Sequence, residues 1–352
     1  MIAVLASELD EAACGLVDAW SRAGAVLISA PDLCTRGWVF DPLLATDGTF
    51  VAGGSPHPVT HLRGVVVRRP AVAAEELTWI IEEDRRYVAA EINAFLVAWL
   101  GALRCSVLNR PSATSLSGPA WSQTSWQSVD RAMVTWADGT SRLVVNPPAA
   151  MAVNNSKPYQ LRLIAGYGFP VPDTLVTTDP EAVRAFAARH GRLVYKSVSG
   201  VRSIVNILAD ASNGRVEDVA NAPTQFQEYV PGVDVRVHVV GNDLFATEVR
   251  SDAHDYRYAS LGGHGVELAA VNVDPDVGAR CCAMAAGMRL AVAGVDLRRT
   301  PDNRWVCFEV NPSPAFVYYE QATGQPIAHA VADLLARADE ARRGKRHHMS
   351  RA

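Results

Sequence analysis

No apolar run in the 352 residues approaches the roughly 20 that cross a bilayer, and the N-terminus carries Glu8-Leu9-Asp10-Glu11 where a secretory signal needs positive charge. A cytoplasmic protein is therefore expected, without a membrane partner. Basic excess is lacking too. The 33 Lys and Arg against 37 Asp and Glu give a net charge of −4, which excludes a protein that lives by neutralising nucleic-acid phosphates. Cysteine is scarce: Cys14, Cys34, Cys105, Cys281, Cys282 and Cys307 form no CxxC pair and sit mostly among apolar neighbours. They are expected to be buried reduced thiols, neither ligands nor nucleophiles. The nine histidines show no metal-site spacing. Internal repeats are absent, and low complexity is confined to a basic tail at Arg342–Arg351. A composition of 49% hydrophobic and 20% charged residues excludes a disordered or fibrous chain, and the length suffices for two or three packed units.

The order of patterns predicts mixed α/β and α+β architecture. IAVLA at 2–6, a helical spacing from Glu8 to Ala23 and AVLIS at 25–29 read as strand, helix, strand. GVVVRRP is another strand, and Leu77, Ile81, Val88, Ile92, Phe95, Trp99 and Leu103 mark one face of a long helix. Residues 1–110 thus form an N-terminal α/β domain. Residues 111–153, rich in Ser, Pro, Trp and Asn, form a connecting insertion with a hairpin turning at Asp138-Gly139. In 154–222 a helix opens at Lys157 and stops at Gly168 and Pro170, and the strands DTLVT and RLVYKSV flank the helix EAVRAFAARHG. In 223–338 the runs TQFQEYV, DVRVHVVG, LFATEVR and RWVCFEV build a mixed sheet with a helix from Gly278 to Ala293, and 339–352 is the tail.

The chemistry concentrates at the end of the last strand, FEVNPSPAFVYYE, preceded by GVDL. Glu309 and Asn311 lie two apart and so share a face, and with Asp296 they offer the oxygen donors that Mg²⁺ prefers in phosphoryl-transfer sites. Alone, Glu309 and Asn311 would read as a strand end capping the Pro312 turn. Upstream, Gln227, Glu228, Tyr229 and Val230 form an extended row that offers backbone donors and acceptors to an adenine edge, with the Asp234 carboxylate placed for ribose hydroxyls. The competing reading is an edge strand and a Pro-Gly turn. Lys196 ends LVYK before SVSGVRS, and Lys157 starts a helix; either lysine could serve a phosphate or simply be solvated. Arg236 and Arg257 are candidates for a reacting carboxylate or phosphoryl, against surface ion pairs with Asp255 or Glu248.

Taken in order, Lys157, Lys196, the row 227–230, Asp234, Asp296, Glu309 and Asn311 resemble the ATP-grasp superfamily over about residues 150–335, with an N-terminal pre-ATP-grasp α/β domain before a two-lobed ATP-grasp fold. SKPYQL, DVRVHVVG, GVDL and FEVNPSPAFVYYEQATGQPI are most similar to RimK-type ligases, and VVVRRP, SVLN and the ExxTGxPI tail at Glu320–Ile327 resemble the microviridin-type peptide ligases, the graspetide synthetases. The family's Gly-Gln-Trp-like triplet is replaced here by Ser313-Pro314-Ala315-Phe316, and 118–148 resembles an insertion. The resemblance implies that Lys157 and Lys196 contact ATP phosphates beneath a loop at 197–203 that includes Ser199, Gly200 and Arg202. It likewise implies adenine at Gln227, Glu228, Tyr229 and Val230, ribose at Asp234, and Mg²⁺ at Asp296, Glu309 and Asn311. The activity it implies is ATP-dependent formation of an amide or ester through an acyl phosphate. The expected substrate is a precursor peptide, with a small carboxylate, as in an amino-acid ligase, as the runner-up. A nucleotide-binding protein without turnover is the rival class, and a homodimer is left open.

Overall fold

The computed structural model describes residues 1–44, 47–68, 71–108, 146, 148–200, 205–208, 214–251, 265–335 and 337. Its contacts divide the chain into two compact units: Met1–Trp121 with Asn155–Arg162 and Pro172–Tyr229, and Ser122–Asn154 with Leu163–Val171 and Val230–Ala352. The expected hairpin at 138–139, Arg202, Arg257 and the basic tail lie outside the described residues.

The first unit opens as the apolar periodicity predicts. Strand β1 (Ile2–Leu5), helix α1 (Glu11–Ala19) and β2 (Ala25–Ile28) form a parallel crossover, and β6 (Gly64–Val67) and β7 (Ser106–Leu108) extend the sheet in the order β2-β1-β6-β7. Helix α1 begins three residues later than its periodicity suggests because the Asp10 side chain accepts from the Ala13 amide and caps it. The long helix α3 (Glu82–Ala102), which follows the short α2 (Ala30–Leu33), starts five residues after Leu77. Glu82, Glu83 and Asp84 supply an acidic first turn suited to the helix dipole, while Leu77 is buried in the approach to it. From Val88 to Leu100 α3 is buried on all sides, with Glu91 and Asn93 enclosed among its apolar residues.

A second sheet in this unit takes strands from both sides of residue 110. Strands β3 (Val39–Phe40), β4 (Gly48–Ala52) and β5 (Ser55–Pro58) continue β8 (Thr174–Thr177), β11 (Thr224–Glu228), β9 (Leu193–Lys196) and β10 (Asn206–Leu208). The join is Val39 opposite Thr177 and Phe40 opposite Val176. Gly48, at φ 142°, permits the β3–β4 approach, since a Cβ there would stand 2.2 Å from the Val39 carbonyl. Helix α5 (Pro180–His190), after α4 (Lys157–Gly166), lays Val183 and Phe186 on Leu175, Leu193 and Phe226. The larger core is aromatic: Trp38 meets Phe95 and Trp99 edge-on, each at 5.0 Å.

The second unit holds one antiparallel sheet in the order β14 (Val266–Val271), β13 (Asp243–Ser251), β12 (Val233–Val240), β15 (Val292–Arg299), β16 (Trp305–Asn311). The helix expected at 278–293 is instead α6 (Pro275–Gly287). Arg289 turns the chain at φ 61°, and Val292 onward pairs along the whole of β12 as a central strand. Helical propensity yields there to a buried ladder. Strand β14 was not expected either. Helix α6 covers one face through Val277, Cys281, Met284 and Ala285. On the other face Tyr319 of α7 (Val317–Thr323), Ile327 and Ala330 pack against Val240, Val249 and Val292. Among the described residues no helix is long and apolar enough to cross a membrane.

Trp99→Ala should therefore destabilise the first unit by about 3–5 kcal/mol, because it removes a fully buried indole from an aromatic cluster that cannot close over the gap. Urea denaturation followed by tryptophan fluorescence checks it; a cost below about 1 kcal/mol would mean that the cluster is not the anchor of this core.

Candidate functional site

The polar groups of the second unit follow from strand alternation. On β12, Val235, Val237 and Val239 enter the core beneath α6, as do Ala293, Val295 and Leu297 on β15 and Cys307 and Val310 on β16. Their alternates must face the other way. Asp234, Arg236 and His238 on β12 and Gly294, Asp296 and Arg298 on β15 share that face, cross-paired as Asp234 with Arg298, Arg236 with Asp296 and His238 with Gly294. An irregularity in the β15–β16 ladder after Asp296 keeps Glu309 opposite Asp296 and Asn311 opposite Gly294. All three expected metal ligands thus lie on one face of adjacent strands.

Ion pairs fix this face. The Arg298 guanidinium grips Asp234 with Nε to Oδ1 at 2.7 Å and Nη2 to Oδ2 at 2.9 Å, and its Nη1 donates to the Val230 carbonyl at 2.9 Å. Arg236 is buried and lies against Asp296, Nε–Oδ1 2.5 Å and Nη2–Oδ2 3.1 Å. Of the carboxylates anticipated for a surface pair, Asp255 lies outside the described residues and Glu248 holds Arg250 and Arg299. Gly294 makes room for this arrangement: a Cβ there would lie 2.6 Å from Arg236 Nη1 and 2.7 Å from Pro314 Cβ. That is the physical reason for the glycine in GVDL. Asn311 does cap its turn, accepting from the Ser313 amide at 2.9 Å. Asn146, from the stretch read only as an insertion, binds the turn from behind: its Nδ2 donates to the Val292 and Pro312 carbonyls at 2.6 Å each, and its Oδ1 accepts from the Ala291 and Val292 amides.

His238 sits behind Arg236, fully buried, with the Tyr319 ring edge-on at 4.9 Å. Burial and, secondarily, the Arg236 charge lower its pKa from 6.5 to about 4, against a bond to the Ala315 backbone that raises it. It is therefore a neutral imidazole at physiological pH.

The first unit carries the lysines. Lys157 is buried; its Nζ donates to Ser197 Oγ at 3.1 Å and to the Ser199 carbonyl, and its amide donates to the Val198 carbonyl at 2.9 Å. The carboxylate of Glu91, on α3 and 1% exposed, accepts from the Val198 amide, the Ser199 amide and Ser199 Oγ. Glu91 was missed in the sequence, although an acid flanked by Ala90 and Ile92 on a helix apolar all round is itself a signal. Lys196 lies half-buried opposite Gln225, and Gly200 is exposed at the end of the described loop.

The row 227–230 is more committed than its extended form suggested. Gln227 Nε2 donates to Thr174 Oγ1, the Glu228 amide to the Asp173 carbonyl and the Tyr229 amide to the Arg192 carbonyl. Arg192 also lies over the Tyr229 ring at 4.2 Å. Among the described residues one His and carboxylate group comes close enough to share an ion: Asp173, His190 and Glu228, with ligand atoms within 4.8 Å of one another. The two imidazole nitrogens face different carboxylates, Nε2 toward Asp173 at 3.6 Å and Nδ1 toward Glu228 at 3.8 Å.

Burial raises Cys34 to about 11, Cys281 to about 12 and Cys307 well above its usual value, which keeps these three protonated rather than nucleophilic at neutral pH. None of the six is in a disulfide, and only Cys281 and Cys307 are fully buried.

The chain matches the model of the RimK-like ATP-grasp domain over residues 154–335. Beta-citrylglutamate synthase B of Danio rerio is 29% identical over 206 residues, 54% of this chain and 50% of its own length. A probable alpha-L-glutamate ligase of Photobacterium profundum is 28% identical over 213 residues, 58% of this chain and 70% of its own. The chain thus spans half the length of the first relative. The structure of the ATP-grasp ligase PsnB complexed with minimal precursor aligns over 96% of this chain and 98% of its own, with a TM-score of 0.50 at 23% identity, a likeness of fold.

His238 gives a pH test of the polar face. Its folded pKa lies below the unfolded value, so as pH falls through about 6.5 the unfolded chain takes up a proton that the folded chain refuses until about 4. The stabilisation is complete above 6.5 and is lost across that window. His238→Gln should therefore show a shallower loss of stability than the wild type between pH 7 and 4.5 in urea titrations; parallel curves would mean that the imidazole is protonated in the fold.

Proposed function

The chain belongs to the RimK-like ATP-grasp family, and from that premise we propose that it is an ADP-forming ligase that joins a carboxylate to an amine or hydroxyl. The observation that carries the proposal is the pairing of Asp296 with Glu309 across adjacent strands, with Asn311 on the same face. Two carboxylates directly opposite each other on a sheet repel, and the Arg236 guanidinium lies against the Asp296 carboxylate. Asp296, Glu309 and Asn311 are hard oxygen donors that would hold Mg²⁺, and the ion would supply positive charge for phosphoryl transfer.

The remaining roles follow from the residues. Lys157 and Lys196 bind phosphate oxygens as point charges, with Ser199 and Gly200 in the covering loop. Because the Glu228 and Tyr229 amides are engaged, the adenine edge is left the Glu228 carbonyl and the Val230 amide. Asp234 accepts a ribose hydroxyl while Arg298 holds it in place. Arg236 orients Asp296, and Arg257 is the second candidate for the reacting carboxylate. In the reaction a substrate carboxylate oxygen attacks the γ-phosphorus and ADP leaves. The nucleophile then attacks the acyl carbon, loses its proton and expels phosphate. Six cysteines without a disulfide fit a cytosolic compartment.

For substrate, a peptide is the reading supported best. The fold likeness to a ligase whose structure holds a minimal precursor covers 96% of the chain, whereas the sequence likeness to the amino-acid ligases covers 54–58%. Those ligases favour a second reading, a small acceptor such as glutamate, because they carry the higher identity.

Two outcomes are expected. Glu309→Gln, at a half-buried strand end, should keep cooperative melting while ADP release falls at least about a hundredfold; loss of folding instead would favour the strand-cap role. Mass spectrometry of a precursor peptide encoded beside the gene, incubated with Mg-ATP, should show loss of one water per bond formed, with little turnover of free amino acids. Efficient ligation of two free amino acids, unaffected by any peptide, would replace the first substrate reading with the second.

A further inference from the structure

Glu91 lies outside the stretch matched by the family model, yet it meets the two segments, 156–157 and 197–199, to which the phosphate-binding roles are assigned. A carboxylate buried to 1% exposure on an apolar helix loses several kcal/mol of hydration and persists only where donors and a cation compensate it. Here the donors are two consecutive backbone amides, Val198 and Ser199, and the Ser199 hydroxyl, and the cation is Lys157. The same helix holds the other segment: the Ala94 carbonyl accepts from Ser156 Oγ at 2.6 Å, and Ser156 bridges to Ser199.

We propose that Glu91 is a positioning residue of the phosphate subsite: its carboxylate fixes the turn at Val198-Ser199, and that turn fixes Lys157 Nζ through Ser197 Oγ and the Ser199 carbonyl. This rests on the ligase reading above, and it gives the N-terminal region a part in nucleotide binding. Three features support it over a purely structural role. The carboxylate is spent on the backbone of the turn rather than on helix partners. The lysine it compensates is the one whose ammonium is buried among that turn's oxygens. Burial raises the pKa of the Glu91 carboxyl above the usual carboxylate value, and the bonds from Ser199 and Val198 and the Lys157 charge offset part of that rise. The pair is therefore coupled: without the carboxylate the lysine loses its compensating charge, and the turn loses the acceptor for two amides.

Calorimetry on the full chain with Mg²⁺ and a nonhydrolysable ATP analogue, beside competition with adenosine, separates the roles. In Glu91→Gln, which keeps the volume but presents an NH₂ to the two amides, affinity for the ATP analogue should fall about ten-fold while affinity for adenosine stays within about two-fold. Should that variant not melt cooperatively, Ser199→Ala, which removes only the hydroxyl donor, should show the same selectivity with about a three-fold loss. Equal losses for both ligands would make Glu91 structural and overturn the proposal. Unchanged binding would overturn it as well, and tighter binding would show that the carboxylate competes with phosphate for the two amides. A wild type that binds adenosine but not the ATP analogue contradicts the ligase reading itself, before any variant is compared.

Discussion

The two-residue period of a β-strand governs the chemistry of the second unit. Once Val235, Val237 and Val239 are committed to the core under α6, Asp234, Arg236 and His238 have one direction left, and pairing transfers the same constraint to Asp296, Arg298, Glu309 and Asn311. A slip of one residue in any of these strands would bury the acids and expose the valines. Register and site are thus held by the same energy, burial of apolar area at roughly 25 cal/mol per Å². The guanidinium pairs then refine what register has placed: Arg298 on Asp234 and Arg236 on Asp296 set the directions of carboxylates that a bare strand end would leave free to rotate.

The first unit solves a different problem. Its lysine is placed by a buried carboxylate rather than by alternation, and the carboxylate comes from a helix 66 positions earlier in the chain, since the pair is Glu91 and Lys157. Such a network is stabilising only when complete, because each orphaned donor or charge in a low-dielectric interior costs more than the bond it replaces returns. That makes the N-terminal stretch an integral part of the lysine's environment, consistent with strands β3–β5 and β8–β11 sharing one sheet.

Strong local patterns were legible in the sequence. The parallel β1-α1-β2 start, the long helix over Val88–Trp99, the helix at Lys157 and the last strand, β16, follow from apolar periodicity and punctuation alone. So did the common face of Glu309 and Asn311, which is period arithmetic. Less was legible where long-range pairing decides. Residues 288–293 read as helix because Met, Leu and Ala favour it, and only a partner strand, β12, makes Val292–Arg299 a strand. Glu91 and Asn146 contribute through partners more than 60 residues away, and no local spacing encodes that. Arg298 belongs with these: its partner Asp234 was identifiable only through the ladder.

The central claim is that the paired acids of β15 and β16 bind a magnesium nucleotide. The direct measurement is calorimetric titration of the wild type and of Asp296→Asn with a nonhydrolysable ATP analogue, each with Mg²⁺ and with EDTA. The wild type should bind at least about ten-fold more tightly with Mg²⁺, a difference of about 1.4 kcal/mol, and Asp296→Asn should lose most of that difference while keeping the affinity seen in EDTA. Equal affinity with and without Mg²⁺ in the wild type would contradict the assignment of this face as the metal site.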